Sequence, residues 1–177
     1  MALQLKGTFI ALRSTALFLL TITLIGCVAT PQTRDEFKQQ IKEHPKLGLH
    51  EMYTANRRFE DVVRTIETKW QECYNVSRTT TRSQGGMTTM RYRDTYHPKS
   101  EKKNNSLVEM TLQETSEGIV MLNKIPPGGL YMAALDLERL PANKTRLTWY
   151  SPAWGWGDSW EKNKQWSDGK NIACDAE

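Results

Sequence analysis

Three histidines, three cysteines and a tryptophan-rich stretch are the side chains whose types could carry chemistry or recognition in this sequence. His44 and His97 each precede a proline. Neither they nor His50 stand in a His-Glu-x-x-His array, the spacing that puts two imidazoles on one helical face. A catalytic zinc asks for three protein ligands, which this chain offers only if the fold gathers distant residues. No strand-turn-helix nucleophile motif surrounds any serine. Pro126-Pro127-Gly128-Gly129 lacks the spacing of a phosphate loop and reads as a tight hairpin. These residues lead us to expect no catalytic residues, no metal and no cofactor, hence no enzyme. A hydrolase whose site is assembled only in the fold is the alternative.

The aromatic run is the more unusual feature. Trp149, Tyr150, Trp154, Trp156, Trp160 and Trp166 hold all but one of the six tryptophans. Ala153, Gly155 and Gly157 between them permit a close, irregular chain path. Such residues build cores when buried and make strong contacts when exposed. Two roles stay open: packing of the last strand and terminal helix, or a surface for an apolar ligand or a partner protein.

Further back, the first 26 residues differ from the rest. Lys6 and Arg13 are their only charges, and Ser14 to Ile25 is an apolar stretch of about a dozen residues, the pattern of a secretory signal. A permanent membrane span needs roughly 20 apolar residues, and Arg13 interrupts any longer count. Leu24, Ile25, Gly26 and Cys27 resemble the lipobox of bacterial lipoproteins. That resemblance implies diacylglycerol on the Cys27 sulfur, cleavage just before it and acylation of the new amino group. One acyl chain binds a membrane reversibly, whereas two or more anchor it stably. Residue 28 is Val; in enteric lipoproteins an Asp there is the inner-membrane retention signal. Its absence implies an outer-membrane protein facing the periplasm.

With Cys27 taken by lipid, Cys73 and Cys174 remain as a pair in an oxidising compartment, and we expect them to form a disulfide. No Cys-x-x-Cys spacing suggests redox activity. Removing Lys6 and Arg13 leaves 22 basic residues against 20 acidic ones, a net charge of +2. Arg78, Arg82, Arg91 and Arg93 sit among Thr and Ser at strand-like spacing and read as a solvated face. Nucleic acid is therefore not an expected partner.

The domain organisation expected is a signal at 1–26, a lipidated tether and short helical segment at 27–46, and one α+β domain at 47–177. In the second of these, Phe37 and Ile41 share a helical face and Pro45 ends the helix. A short strand is expected near Leu47 to Tyr53. Phe59, Val62, Val63, Ile66, Trp70 and Cys73 form one apolar stripe of a helix, with Asn56 or Thr54 as N-cap and Glu60 and Arg64 paired four apart. Beyond Tyr74 the period becomes two. Met90, Tyr92 and Tyr96 alternate with polar residues after Gly85-Gly86; so do Val108, Met110 and Leu112, then Tyr131, Ala133, Leu135 and Leu137, then Leu147 and Trp149. Ile119 to Leu122 is a short apolar run. Turn residues separate these segments. Asp158 with Glu161 has the form of a capping box opening a last helix.

Helix, meander and terminal helix resemble, by element order alone, the START-like or helix-grip arrangement. The expected fold is thus α+β: a curved antiparallel sheet of five or six strands packed against an N-terminal amphipathic helix and a C-terminal helix. Function is expected to be that of a membrane-anchored, non-catalytic binding or accessory module. Its partners would be the membrane, through the lipid on Cys27, and an apolar ligand or envelope protein.

Overall fold

The computed structural model describes residues 29–84, 88–117, 124–153 and 155–174, with only the backbone at 80–84 and 88–92. Cys27 and the signal segment, the Gly85-Gly86 turn, the Ile119 to Leu122 run and Trp154 lie outside the described residues.

The chain's strongest helical stripe becomes its central helix. With α1 spanning Arg34–Glu43, α2 spans Phe59–Tyr74 and buries Phe59, Val62, Ile66 and Trp70. Its capping differs from expectation: Arg58 is the N-cap, with no side-chain cap bond. Asn56 and Thr54 stand too early in the chain to reach its first amides. The Arg57 carbonyl just before it is instead held by the Thr145 hydroxyl at 2.9 Å. Glu60 does not pair with Arg64. It reaches across to Arg139, while Arg64 turns to Asp61.

Six strands follow the period-two pattern: β1 Gly48–Ala55, β2 Ser77–Gln84, β3 Thr88–Asn104, β4 Leu107–Glu117, β5 Leu130–Leu140 and β6 Lys144–Pro152. All pair antiparallel, in the order β1-β6-β5-β4-β3-β2. β1 and β2 are therefore opposite edges, and α2 connects them across one face. Its 16 residues at 1.5 Å each make about 24 Å, which matches five inter-strand gaps of about 4.8 Å. The helix is as long as the sheet is wide. α3, Gly157–Ser167, joins it on that face. This is the α+β architecture expected, with six strands.

α1 lies on the other face, where Phe37 and Ile41 pack with Ala134 and Tyr150. The approach is close. A Cβ on Gly48 would stand 2.8 Å from the Ile41 side chain, so the first residue of β1 has to lack one. Arg34 and Lys38 bind Asp136 on β5, and Arg34 also meets Glu109 on β4.

One residue changes the expected facing of β5. Leu112 pairs with Ala133 but Gln113 pairs with Tyr131, leaving Met132 as an extra residue. Such a bulge breaks the strict alternation of side chains. Ala133, Leu135 and Leu137 point to the α2 side as the alternation implies. Tyr131 instead turns to α1 and stacks on Phe37 at 5.6 Å. Just upstream, residues 126–129 form a turn that leads into β5; the partner strand of the tight hairpin expected there would fall on Ile119 to Leu122, outside the described residues. The Gly129 N–H donates to the Pro126 carbonyl at 3.0 Å. At φ +107°, a Cβ there would fall 2.2 Å from the Glu114 carbonyl oxygen.

Candidate ligand cleft

The tryptophan run does not form one surface. Trp149 on β6 and Trp160 and Trp166 on α3 are buried in the main core with Trp70 of α2. Each of these indoles finds a hydrogen-bond acceptor, as a buried Trp generally must. Trp70 donates to Asn163 Oδ1 at 2.8 Å, Trp149 to Ser151 Oγ at 2.9 Å, Trp160 to Glu51 Oε2 at 2.6 Å and Trp166 to the Ile172 carbonyl at 3.2 Å. Tyr150, one residue from Trp149, faces the opposite way. It lies under α1 with Lys38 and Lys42 over its ring and His50 stacked on it at 4.7 Å. A strand turns neighbouring side chains to opposite faces, so Trp149 and Tyr150 could never share a site.

Trp156 is the member of the run that reaches a cavity. It is the residue before α3, half-buried, and it caps the helix by position without a side-chain bond. The Asp158–Glu161 capping box is accordingly absent: Asp158 already lies in the helix's first turn. Trp156 stands 6.4 Å from Tyr74 and 6.5 Å from Tyr96, both edge to face. Tyr74 also meets Trp166 at 6.3 Å and Trp70 at 5.5 Å. Edge-to-face packing at these separations contributes about 0.5–1.5 kcal/mol per pair beyond burial. The aromatic contacts run without a break from the Trp149–Trp160 stack in the core to the rim of a cleft.

That cleft has a volume of about 270 Å³ and lies where the end of α2, strands β2, β3 and β5, and α3 meet. Tyr74, Tyr96 and Trp156 give it aromatic walls, with the fully buried Trp166 behind them. Arg78, Asp158 and Lys162 bring charge to it. Burial, with Glu114 and Asp94 nearby, pushes the Tyr96 hydroxyl up to about 12, so it remains a hydrogen-bond donor at any ordinary pH. One wall is covalent. Cys73 and Cys174 form the expected disulfide, with Cα atoms 5.2 Å apart, and it fastens the segment after α3 to the end of α2.

The histidines are dispersed. His44 is the C-cap residue of α1, and His97 contacts the Thr115 hydroxyl at 2.9 Å. His50 and His97 lie on β1 and β3, four inter-strand gaps apart, or about 19 Å. No single ion spans that distance. Burial and the lysines of α1 hold the His50 imidazole below its ordinary pKa. Among the described residues there is no group of three or more His, Cys, Asp or Glu side chains placed to hold a metal ion.

Tyr74 and Lys162 are cleft residues that sequence reasoning did not name, and Arg78, read there as part of a solvated strand face, lies at the cleft as well. Tyr74 follows Trp70 by four positions and so extends the helix stripe by one turn. That signal was present, but it reads as core. Tyr96 carried only the alternation of its strand.

No family model matches the chain, and no curated protein matches it. Among solved structures, it is similar to a hypothetical protein from Helicobacter pylori at 15% identity and a TM-score of 0.39, covering 84% of this chain and 96% of that one. An uncharacterised protein from Rhizobium leguminosarum matches at 9% identity and a TM-score of 0.26, covering 68% of this chain and 90% of that one. Among the described residues no helix is long and apolar enough to cross a membrane.

Proposed function

We propose that this chain is a bacterial lipoprotein, anchored by diacylglycerol on Cys27 in the outer membrane and facing the periplasm, and that its domain is a non-catalytic binding module. Its ligand seat is the cleft between the sheet and α3. The observation that carries the binding role is the composition of that cleft: the aromatic rings of Tyr74, Tyr96 and Trp156 beside a small set of charged side chains. Ligand sites set placed polar groups against apolar or aromatic surface, and the large polar share of this lining suits an amphipathic rather than a purely apolar ligand. The volume suits a small amphipathic molecule, its ring or chain against Trp156 and Tyr96 and its polar end toward Arg78 and Lys162. The element order, helix, antiparallel meander and terminal helix, resembles that of START-like domains and supports the same placement. The lipobox residues Leu24-Ile25-Gly26-Cys27 support the anchor.

Purification of the mature protein from membranes, followed by mass spectrometry of what remains bound, tests the binding role. Removing one aromatic wall by Trp156→Ala or Tyr96→Ala should lower retention of the bound species by about tenfold. Equal retention in both variants would place the ligand elsewhere and sink the cleft assignment. Radiolabelled fatty acid tests the anchor separately: Cys27→Ala should abolish incorporation, and persistent label in that variant would overturn it.

A further inference from the structure

The end of the sheet at which the chain enters the domain differs from the far end, and the difference points to a surface. Gln32 is already fixed to the body. Its backbone N–H donates to Glu36 at 2.7 Å, and its side-chain amide donates to the Lys124 carbonyl at 3.0 Å. Thr33 caps α1, its side chain accepting from the Glu36 amide. Only a few residues therefore separate Cys27 from fixed structure. Two peptide units join Cys27 to Ala29, and each advances a chain by at most about 3.8 Å.

Around this point are two of the three large apolar side chains that stand exposed among the described residues. Leu47 is 65% exposed and Ile125 is 48% exposed. Each directly follows a lysine, Lys46 and Lys124, both exposed. Between them opens an apolar groove of about 370 Å³, lined among others by Pro31, Ile41, Leu47 and Leu130. Glu43 and Glu117 stand on the same end, so the two lysines bring no large net charge. The pattern is of apolar side chains flanked by long cationic ones that reach back toward water. At the far end of the sheet, the Asn105–Ser106 and 141–143 turns carry no such residue among those described.

Building on the lipoprotein reading of Cys27, we infer that this end of the domain docks directly on the bilayer surface, with Leu47 and Ile125 inserted among the lipid headgroups. The occupant of the exposed apolar surface is then the membrane that holds the anchor. A lipid anchor joined to a fixed chain by so short a connection keeps the adjoining surface against the bilayer, and there exposed apolar side chains lose their contact with water. Trp156 and Gly155 of the cleft rim follow Ala153, whose N–H donates to the Leu47 carbonyl at 2.9 Å.

The test uses the lipidated full-length mature protein in phosphatidylethanolamine–phosphatidylglycerol vesicles with brominated acyl chains. Cys27 is occupied by lipid and Cys73 is bonded to Cys174, so an introduced cysteine is the one thiol that takes a fluorophore. Labels at Leu47→Cys and Ile125→Cys should be quenched at least twofold more than labels at Asn105→Cys and Met52→Cys. Met52 is equally apolar and 66% exposed but lies on the open sheet face, so it controls for mere hydrophobicity. Equal quenching at all four positions, on protein whose mass shows diacylglycerol, would overturn the docking while leaving the anchor intact. Weak quenching at 47 and 125 because an acyl chain of the anchor fills the groove would overturn it likewise. A mass without diacylglycerol would instead overturn the anchor on which the inference rests.

Discussion

Under α2 and α3 the sheet presents Leu112, Leu135, Leu147 and Trp149, all with no exposed surface, and the polar atoms there are indole N–H groups with designated acceptors. Under α1 it presents Ala134 and Tyr150 beside Asp136, a carboxylate shared by Arg34 and Lys38. The first face is held by area and shape. The second is held by a small apolar patch and an ion cluster that is only partly withdrawn from water. The difference explains where a ligand seat can form. On the α2 side large aromatic side chains continue past the close-packed interior, so opening the layer by a few ångströms exposes ring faces with Arg78, Asp158 and Lys162 beside them.

The contrast can be broken most forcefully at Trp70. Trp70→Ala removes a ring that meets Trp149 at 6.1 Å and Tyr74 at 5.5 Å, and leaves the buried Asn163 side chain without its donor. A loss of about 3–5 kcal/mol is expected in urea unfolding. Phe37→Ala, on the α1 side, should cost no more than the low end of that range. An equal or larger loss at Phe37 would mean that the two faces contribute alike.

A smaller effect is expected from Asp136→Asn, which takes the shared charge from Arg34 and Lys38. Because these side chains are 13–16% exposed, the cost should be about 1–3 kcal/mol, below that for a fully buried pair. Hydrogen exchange sharpens the comparison. Amides of α1 should lose protection while those of α2 and α3 keep theirs. Faster exchange in all three helices would show that α1 does not unfold separately from the core.

The tyrosines supply the mildest test. Burial raises Tyr96 on one face and Tyr150 on the other to about 12. An acid whose pKa is raised on folding keeps its proton after the unfolded chain has lost it. Stability should therefore be undiminished below pH 10 and decline between about pH 10 and 12. Phenolate absorbance, assigned with Tyr96→Phe and Tyr150→Phe, follows each group. Ionisation of Tyr150 near pH 10 while Tyr96 stays high would show that water reaches the α1 face freely.

What could be read in advance was whatever depends on period. The stripe from Phe59 to Trp70 specified a helix, the alternation around Val108 to Leu112 and Ala133 to Leu137 specified strands, and cysteine arithmetic paired Cys73 with Cys174. What escaped was set by single residues in tertiary context. Met132 interrupts the alternation of β5, and nothing in its type announces a bulge, so Tyr131 was assigned to the wrong face. The tryptophan run looked continuous because sequence proximity conceals the turn that divides it, sending Trp149 and Trp160 to the core, Tyr150 to the other face and Trp156 to the cleft. The cleft itself is made by residues from α2, β2, β3, β5 and α3 that are up to about a hundred positions apart. No local pattern reports such convergence, because each residue separately satisfies the role of its own element.

The bridge between Cys73 and Cys174 is separated by 101 positions, and every strand from β2 to β6 lies between them, together with α3. The domain is therefore a covalent ring with the first helices and β1 as its stem. A protease that cuts once anywhere in the ring opens it without releasing a fragment. The stem, and the anchor proposed on it, would remain joined to both new ends until a reductant separates them. A nicked copy would keep its cleft walls, and only a reducing gel would reveal the cut.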